Sequence, residues 1–100
     1  MPNPTYPRLA QLFGAYMHQD WVTEGTDWPD LVRNYSREPD FDAVATAAEL
    51  DRLLTDHPDD GLLKHQVFSV LGCYYDSRPD LGGPTLRRWL VDVSAWLKSW

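Results

Sequence analysis

Apolar residues recur at steps of three and four along most of this 100-residue chain. The pattern is clearest at residues 9–17 and 86–100, where leucine, valine and aromatic residues fall on one helical stripe. A helix requires this period, whereas a half-buried strand requires alternation at every second residue. Alternation never persists for more than a few residues. The chain therefore predicts an all-α fold.

Capping and breaking residues divide the pattern into about five helices. They are expected at about residues 7–18, from a cap at Asp27 to before Pro39, at 40–57, from a cap at Asp59 or Asp60 to Leu71, and from Thr85 to the last residue. Gly72 is expected to adopt a left-handed conformation after the fourth helix. Only residues 73–75 leave a short strand open as an alternative.

The apolar stripes give a first estimate of the core. In the third helix they place Val44 with the core leucines, in the fourth they add Val70, and in the last they include Trp96 and Trp100. The joins between helices are short, which favours neighbouring helices packed roughly antiparallel. With only 100 residues, we expect a single compact domain over residues 1–100.

Charge is concentrated in one part of the chain. Fifteen acids against nine bases give a formal charge of −6, and residues 20–60 hold twelve of those acids with three arginines, a local balance of −9. Nucleic acid is a poor partner for such a chain. Acids at helix N-termini on an ordinary solvated surface would explain part of the pattern. The other interpretation is a docking face for a cationic partner.

If this part of the chain is a docking face, its best candidates combine exposed acids with an aromatic anchor. They are Glu24, Asp27, Trp28, Asp30, Asp59 and Asp60.

The residues that could carry chemistry form no strong motif. His18 and Asp20 could belong to a small metal-dependent hydrolase, together with His65, because both metal binding and base catalysis use a histidine oriented by a carboxylate. No other ligand lies at the spacing of a helical zinc motif, and His18 suits a helix C-terminus equally well. We therefore expect no catalysis, no cofactor and no metal.

The cysteine count, the length of the apolar runs and the first residues of the chain bear on its cellular location. The single Cys73 cannot form an internal disulfide, and no apolar run approaches the ~20 residues that span a bilayer. The first residues have neither the basic nor the apolar part of a signal peptide. A cytoplasmic protein is expected.

Short blocks of sequence resemble the immunity proteins of contact-dependent growth inhibition (CDI) systems, the CdiI type. They occupy residues 6–9, 16–21, 48–54, 71–76 and 85–90, in the family's order, and include His-Gln-Asp-Trp at 18–21 and Gly-Cys-Tyr-Tyr at 72–75. One detail departs from the pattern, because Arg87 and Arg88 follow Thr85 where an acid is expected.

The resemblance implies a small, mostly helical bacterial protein that binds a CdiA-type toxin C-terminal domain. Such toxins are commonly nucleases, often RNases, with a basic substrate cleft that an acidic surface would suit. Family-wide residues more plausibly hold the fold than choose the toxin: His18, Asp20, Trp21, Gly72, Tyr74 and Tyr75. An acidic nucleic-acid mimic that inhibits a host enzyme remains an alternative.

Overall fold

The computed structural model describes residues 5–17, 27–75 and 82–100, and within these ranges all regular structure is helical. The elements are α1 (Pro7–Gln11), which continues into a π-helical turn at Leu12–Tyr16, α2 (Trp28–Tyr35), α3 (Ala43–Asp56), α4 (Asp60–Lys64), which continues into a π-helical segment at His65–Val70, and α5 (Leu86–Lys98). The all-α prediction is confirmed. Residues 73–75 form no strand.

The N-termini of four helices are fixed by short polar side chains. Each accepts a hydrogen bond from an N–H of the first turn: Asp27 from Trp28 (2.8 Å), Asp42 from Ala45 (2.9 Å), Asp59 from Leu62 (3.0 Å) and Thr85 from Arg88 (3.2 Å). The missing acid after Thr85 therefore does not prevent this residue from capping α5. Because Asp42 is the cap, α3 begins three residues later than the predicted start at residue 40.

The core lies where α3 and α5 pack together, with α1, α2 and α4 around them. Every helix contributes fully buried side chains, among them Leu9, Leu31, Leu50, Leu63, Trp89, Leu90 and Val93. Burial of one large apolar side chain is worth about 1.5–3 kcal/mol, so this cluster is the main favourable contribution to folding.

Side-chain hydrogen bonds join α3 to α5 at the edge of this core. Asp51 on α3 accepts from Ser94 Oγ at 2.8 Å, and its other oxygen lies 2.7 Å from Lys98 Nζ. Burial raises the pKa of the Asp51 carboxyl, but the hydrogen bonds from Lys98 and Ser94 and the charge of Lys98 together hold the pKa below its usual value.

Three apolar residues that the stripes placed in the core are exposed. Val44 is 75 % exposed, because the buried stripe of α3 is centred on Thr46 and Leu50 and Val44 lies on the other side of the helix. Val70 is 49 % exposed, because the wider π-helical turn rotates it away from Leu63 and the other buried positions of its helix.

Trp100 is the third of these residues. It follows the last turn of α5 and is 54 % exposed. Trp96, one turn earlier, is half-buried. The prediction that both rings belong to the core is wrong for Trp100, since its position past the end of the helix leaves much of the ring in solvent.

Glu49 is an acidic residue that the sequence pattern did not mark as internal. It is only 8 % exposed, and its Oε1 accepts from the backbone N–H groups of Arg8 (2.9 Å) and Leu9 (3.2 Å). No side chain at the cap position Tyr6 bonds to the first turn of α1. A carboxylate from α3 therefore satisfies the donors at the start of α1 and meets the positive end of its dipole.

Replacement of Glu49 by alanine should lower the free energy of unfolding by about 1.5–3 kcal/mol, because it leaves two backbone donors of α1 without their charged acceptor. Urea unfolding measures the loss. Glu49→Gln keeps one acceptor oxygen and is the matched control, with a smaller loss expected. Equal stability of the alanine variant and the parent would contradict this role.

Tyr6 makes the free energy of unfolding depend on pH in the alkaline range. Its side chain is 2 % exposed and donates to Asp56 Oδ2 at 2.5 Å. Burial, followed by the hydrogen bond and the charge of Asp56, raises the pKa of Tyr6 to about 12, although Arg52 opposes the shift. Since the folded pKa is above the unfolded value, this stabilisation is complete below about pH 10 and is lost as pH rises towards 12.

Tyr6→Phe should therefore flatten the decline in the free energy of unfolding between pH 10 and 12, as measured by denaturant titrations at successive pH values. Tyr74→Phe is the control, because Tyr74 is 60 % exposed. An unchanged pH slope in Tyr6→Phe would show that this phenol is not responsible.

Candidate functional site

Three of the candidate docking residues lie together at the start of α2. Asp27, exposed, caps the helix and also accepts from the Tyr75 hydroxyl at 2.6 Å. The half-buried ring of Trp28 meets Trp96 edge-on, with 5.5 Å between ring centroids. Asp30 pairs with Arg33 at 3.2 Å. The start of α2 thus presents two carboxylates beside a tryptophan pair.

Asp59 and Asp60 lie elsewhere, at the start of α4. Asp60 accepts from Arg87 Nε at 2.9 Å, and the Arg87 guanidinium also donates to the carbonyl oxygens of Leu54 and His57 at the end of α3. Asp60 therefore belongs to a contact that closes the C-terminus of α3.

The geometry of α5 keeps these two groups of acids apart. Arg87 and Trp96 are nine residues apart on α5, which is about 14 Å along the axis and half a turn around the helix. The structure therefore brings Asp27, Trp28 and Asp30 together and leaves Asp59 and Asp60 in a different place. Glu24 lies outside the described residues.

A continuous run of aromatic rings extends from the start of α2 across the end of α5. We call it the aromatic belt; its members are Trp28, Trp96, Trp100, Phe41, Tyr35 and Tyr16. Neighbouring rings in this order have centroids 5.5, 5.0, 5.4, 5.5 and 5.6 Å apart. Tyr35 is buried, Trp100 is exposed and the other four are half-buried. The belt is thus part of the surface and is held at its base by the core.

No local pattern in the sequence indicates that these six rings form one belt. Trp28 was a candidate anchor, but Phe41 was not singled out and Trp100 was expected inside. Phe41 and Trp100 are 59 positions apart in the chain and meet only because α3 and α5 pack together. Such a contact has no local periodicity that could predict it.

The surface around the belt is negatively charged. Residues 27–42 carry five acids and two arginines, a balance of −3. Arg33 lies over the Trp96 ring, 5.5 Å from its centroid, and also pairs with Asp30. Glu38 accepts a hydrogen bond from the Tyr16 hydroxyl at the far end of the belt. Carboxylates therefore flank the rings at both ends.

A cleft of about 400 Å³ adjoins the belt next to Tyr35. Its walls are Pro7, Arg8, Gln11, Tyr35, Glu38 and Asp40. The Arg8 guanidinium donates to the backbone carbonyl of Asp40 at 3.1 Å, which ties α1 to the turn before α3. Burial raises the pKa of the Tyr35 phenol above its usual value. Two carboxylates and one guanidinium give the cleft a net negative charge.

Many acids within residues 20–60 already have structural partners. Asp42 and Asp59 cap helices, Glu49 caps α1, Asp51 bonds to Ser94 and Asp56 accepts from Tyr6. These carboxylates are required by the fold. The acids around the belt also have contacts in the fold, since Asp30 pairs with Arg33 and Glu38 accepts from Tyr16, whereas Asp40 is exposed and lines the cleft.

Three of the six residues that the resemblance assigned to the fold, Gly72, Tyr74 and Tyr75, lie within the described part of the chain. Gly72 has a φ of +77°, a left-handed conformation that side-chain-bearing residues rarely adopt, and a Cβ there would make ordinary van der Waals contact with Gly14 Cα at 3.8 Å. The backbone N–H of Tyr74 donates to Met17 at 2.6 Å, and Tyr75 stacks on Trp89 with centroids 5.0 Å apart. Three further residues, His18, Asp20 and Trp21, lie outside the described residues.

The hydrolase alternative rests on residues that the structure covers only in part. His65 is exposed, and no group of three or more His, Cys, Asp or Glu side chains within residues 5–17, 27–75 and 82–100 could hold a metal ion. Across the same ranges, none of the helices has both the length and the hydropathy needed to cross a membrane.

Comparison with known proteins agrees with the resemblance. A family model described as CdiI immunity protein matches residues 5–97, which is nearly the whole chain. No curated protein and no solved structure matches. The chain belongs to the CdiI immunity protein family, whose members bind and neutralise a cognate CDI toxin.

Proposed function

We propose that this protein neutralises a nuclease toxin, most simply an RNase, by covering the basic cleft in which that toxin binds its substrate. The observation that carries the proposal is the surface of residues 27–42, where five acids outnumber two arginines beside half-exposed aromatic rings. A nuclease holds phosphates with lysine and arginine side chains, so its substrate cleft is complementary to such a surface.

The mode of action is stoichiometric binding without catalysis. Protection from a catalytic toxin requires occupancy that rarely lapses, which corresponds to a nanomolar or lower Kd, about −12 kcal/mol. A total interface of about 1,600 Å² supplies this if a few contacts are fully desolvated. The tryptophans at the start of α2 and the end of α5 are of the type that dominates such interfaces. The proposed place of action is the cytoplasm.

Co-expression of this protein with its cognate CdiA-type toxin C-terminal domain should restore growth that the toxin domain alone abolishes. In vitro, one equivalent of this protein should stop cleavage of RNA by the purified toxin domain. Because a covered cleft excludes substrate, a bound RNA analogue that cannot be cleaved should slow formation of the complex. A toxin domain without nuclease activity, or complex formation unaffected by the analogue, would contradict the proposal.

The electrostatic part is tested with the double variant Asp27→Asn, Asp30→Lys. Asparagine still caps α2, and the Asp30–Arg33 pair that the lysine removes is solvent-exposed and contributes little to stability, so the fold should be preserved while the local charge becomes more positive. Association with the toxin domain at low salt should slow on the order of tenfold, and its dependence on ionic strength should flatten. Stopped-flow fluorescence measures both.

Asp27→Asn alone is the control, since it changes the charge of the cap by one unit and leaves Asp30 in place. An association rate unchanged at low salt in the double variant would remove these two acids from the interface.

A further inference from the structure

We infer that the toxin docks on the aromatic belt and the adjoining cleft at Glu38 and Asp40, and that the start of α4 with Asp59 and Asp60 is outside the interface. The occupant is a basic protein surface: its cationic side chains lie against the ring faces and one arginine or lysine enters the cleft. This inference rests on the proposed function and specifies the face that performs it.

The rings of the belt are prepared for binding before a partner arrives. Each contacts its neighbours at 5.0–5.6 Å between centroids, so the side chains are held in place by one another. Trp100 nevertheless keeps 54 % of its surface in solvent. Covering an exposed but ordered tryptophan releases water at a small cost in conformational entropy, which favours binding.

The charge around the belt selects a cationic partner. Arg33 lies over the Trp96 ring at 5.5 Å, a contact of the kind that a partner's guanidinium could make with the exposed Trp100 ring. The balance of −3 over residues 27–42 disfavours nucleic acid, and it also disfavours a second copy of this acidic chain, because both would bring like charges together. A basic protein surface gains from the same field.

The cleft provides a specific position for one cationic side chain. It measures about 400 Å³, is open to solvent and is lined in part by Glu38 and Asp40. Arg8, the cation on the same walls, directs its guanidinium to the backbone oxygen of Asp40. An entering guanidinium would form charge-assisted hydrogen bonds with the carboxylates, with the fixed geometry that planar donors require.

The start of α4 also carries acids that are held by the fold, as Asp27 and Asp30 are, but it lies apart from the belt and from the cleft. Asp59 is occupied as a helix cap, and Asp60 holds Arg87 against the carbonyl groups that end α3. The exposed apolar residue there is Leu62, and the belt lies on the other side of α5. The two surfaces can therefore be tested separately.

The test measures, by isothermal titration calorimetry, the Kd of the complexes that four variants of this protein form with the purified cognate toxin domain. Trp100→Ala should weaken binding at least about tenfold and Asp40→Asn about threefold to tenfold. Asp60→Asn removes the same charge at the start of α4 and should change the Kd less than about twofold. Leu62→Ala is the matched apolar control, since Leu62 is 60 % exposed.

Circular dichroism establishes that each variant is folded, and Trp100→Leu replaces Trp100→Ala if the latter is not. Weaker binding by the Trp100 and Asp40 variants with little change at Asp60 supports the inference. The inference is overturned, and the proposed function left intact, if Asp60→Asn raises the Kd and the Trp100 and Asp40 variants do not. It is also overturned if Asp60→Asn raises the Kd as much as Asp40→Asn. If the parent chain forms a dimer with itself that dissociates in the Trp100 variant, the inference is overturned. If the parent chain binds no toxin domain, both the inference and the proposed function are overturned.

Discussion

The packing of α5 against α3 is the interaction on which the other features of the molecule depend. It buries Leu50, Leu90 and Val93 and is secured at its edge by Asp51, which accepts from Ser94 and pairs with Lys98. With α5 held in this position, its two tryptophans, and Trp100 just after it, reach three other parts of the chain. Trp89 stacks under Tyr75, Trp96 meets Trp28 and Trp100 meets Phe41. One helix pair thus supplies both the core and the base of the docking surface, so a change that shifts α5 would alter stability and recognition together.

The acidic residues of this chain have two different physical roles. Where a carboxylate receives backbone N–H groups, as Glu49 does from α1, it replaces hydration by directed hydrogen bonds and fixes one element against another. Where carboxylates stay at the surface beside aromatic rings, as Asp30 and Asp40 do, their field reaches into solvent. A formal charge of −6 therefore does not by itself define a binding surface. Only the carboxylates that the fold leaves accessible can attract a basic partner.

The sequence predicted the helices well because their signals are local. Asp27, Asp59 and Thr85 are caps, and Gly72 is left-handed, as their positions beside apolar runs indicated. The candidate site was predicted less completely. Trp28 belongs to the belt and Asp27 and Asp30 lie beside it, but nothing in the spacing separated these three residues from Asp59 and Asp60. The burial of Glu49 and the exposure of Val44 were also missed, since a helical wheel assumes that charged residues face solvent and that apolar residues face the core.

By itself the sequence determined the all-α class, the caps and the excess of acids in residues 20–60, because each depends on residue type and on neighbours within a few positions. Tertiary structure alone decided which of those acids serve the fold and which flank exposed rings. It did so by bringing Phe41 to Trp100 and Trp28 to Trp96, contacts between residues that are 59 and 68 positions apart. Long-range contacts of this kind depend on how helices pack, and helix packing depends on the shapes of all the buried side chains at once.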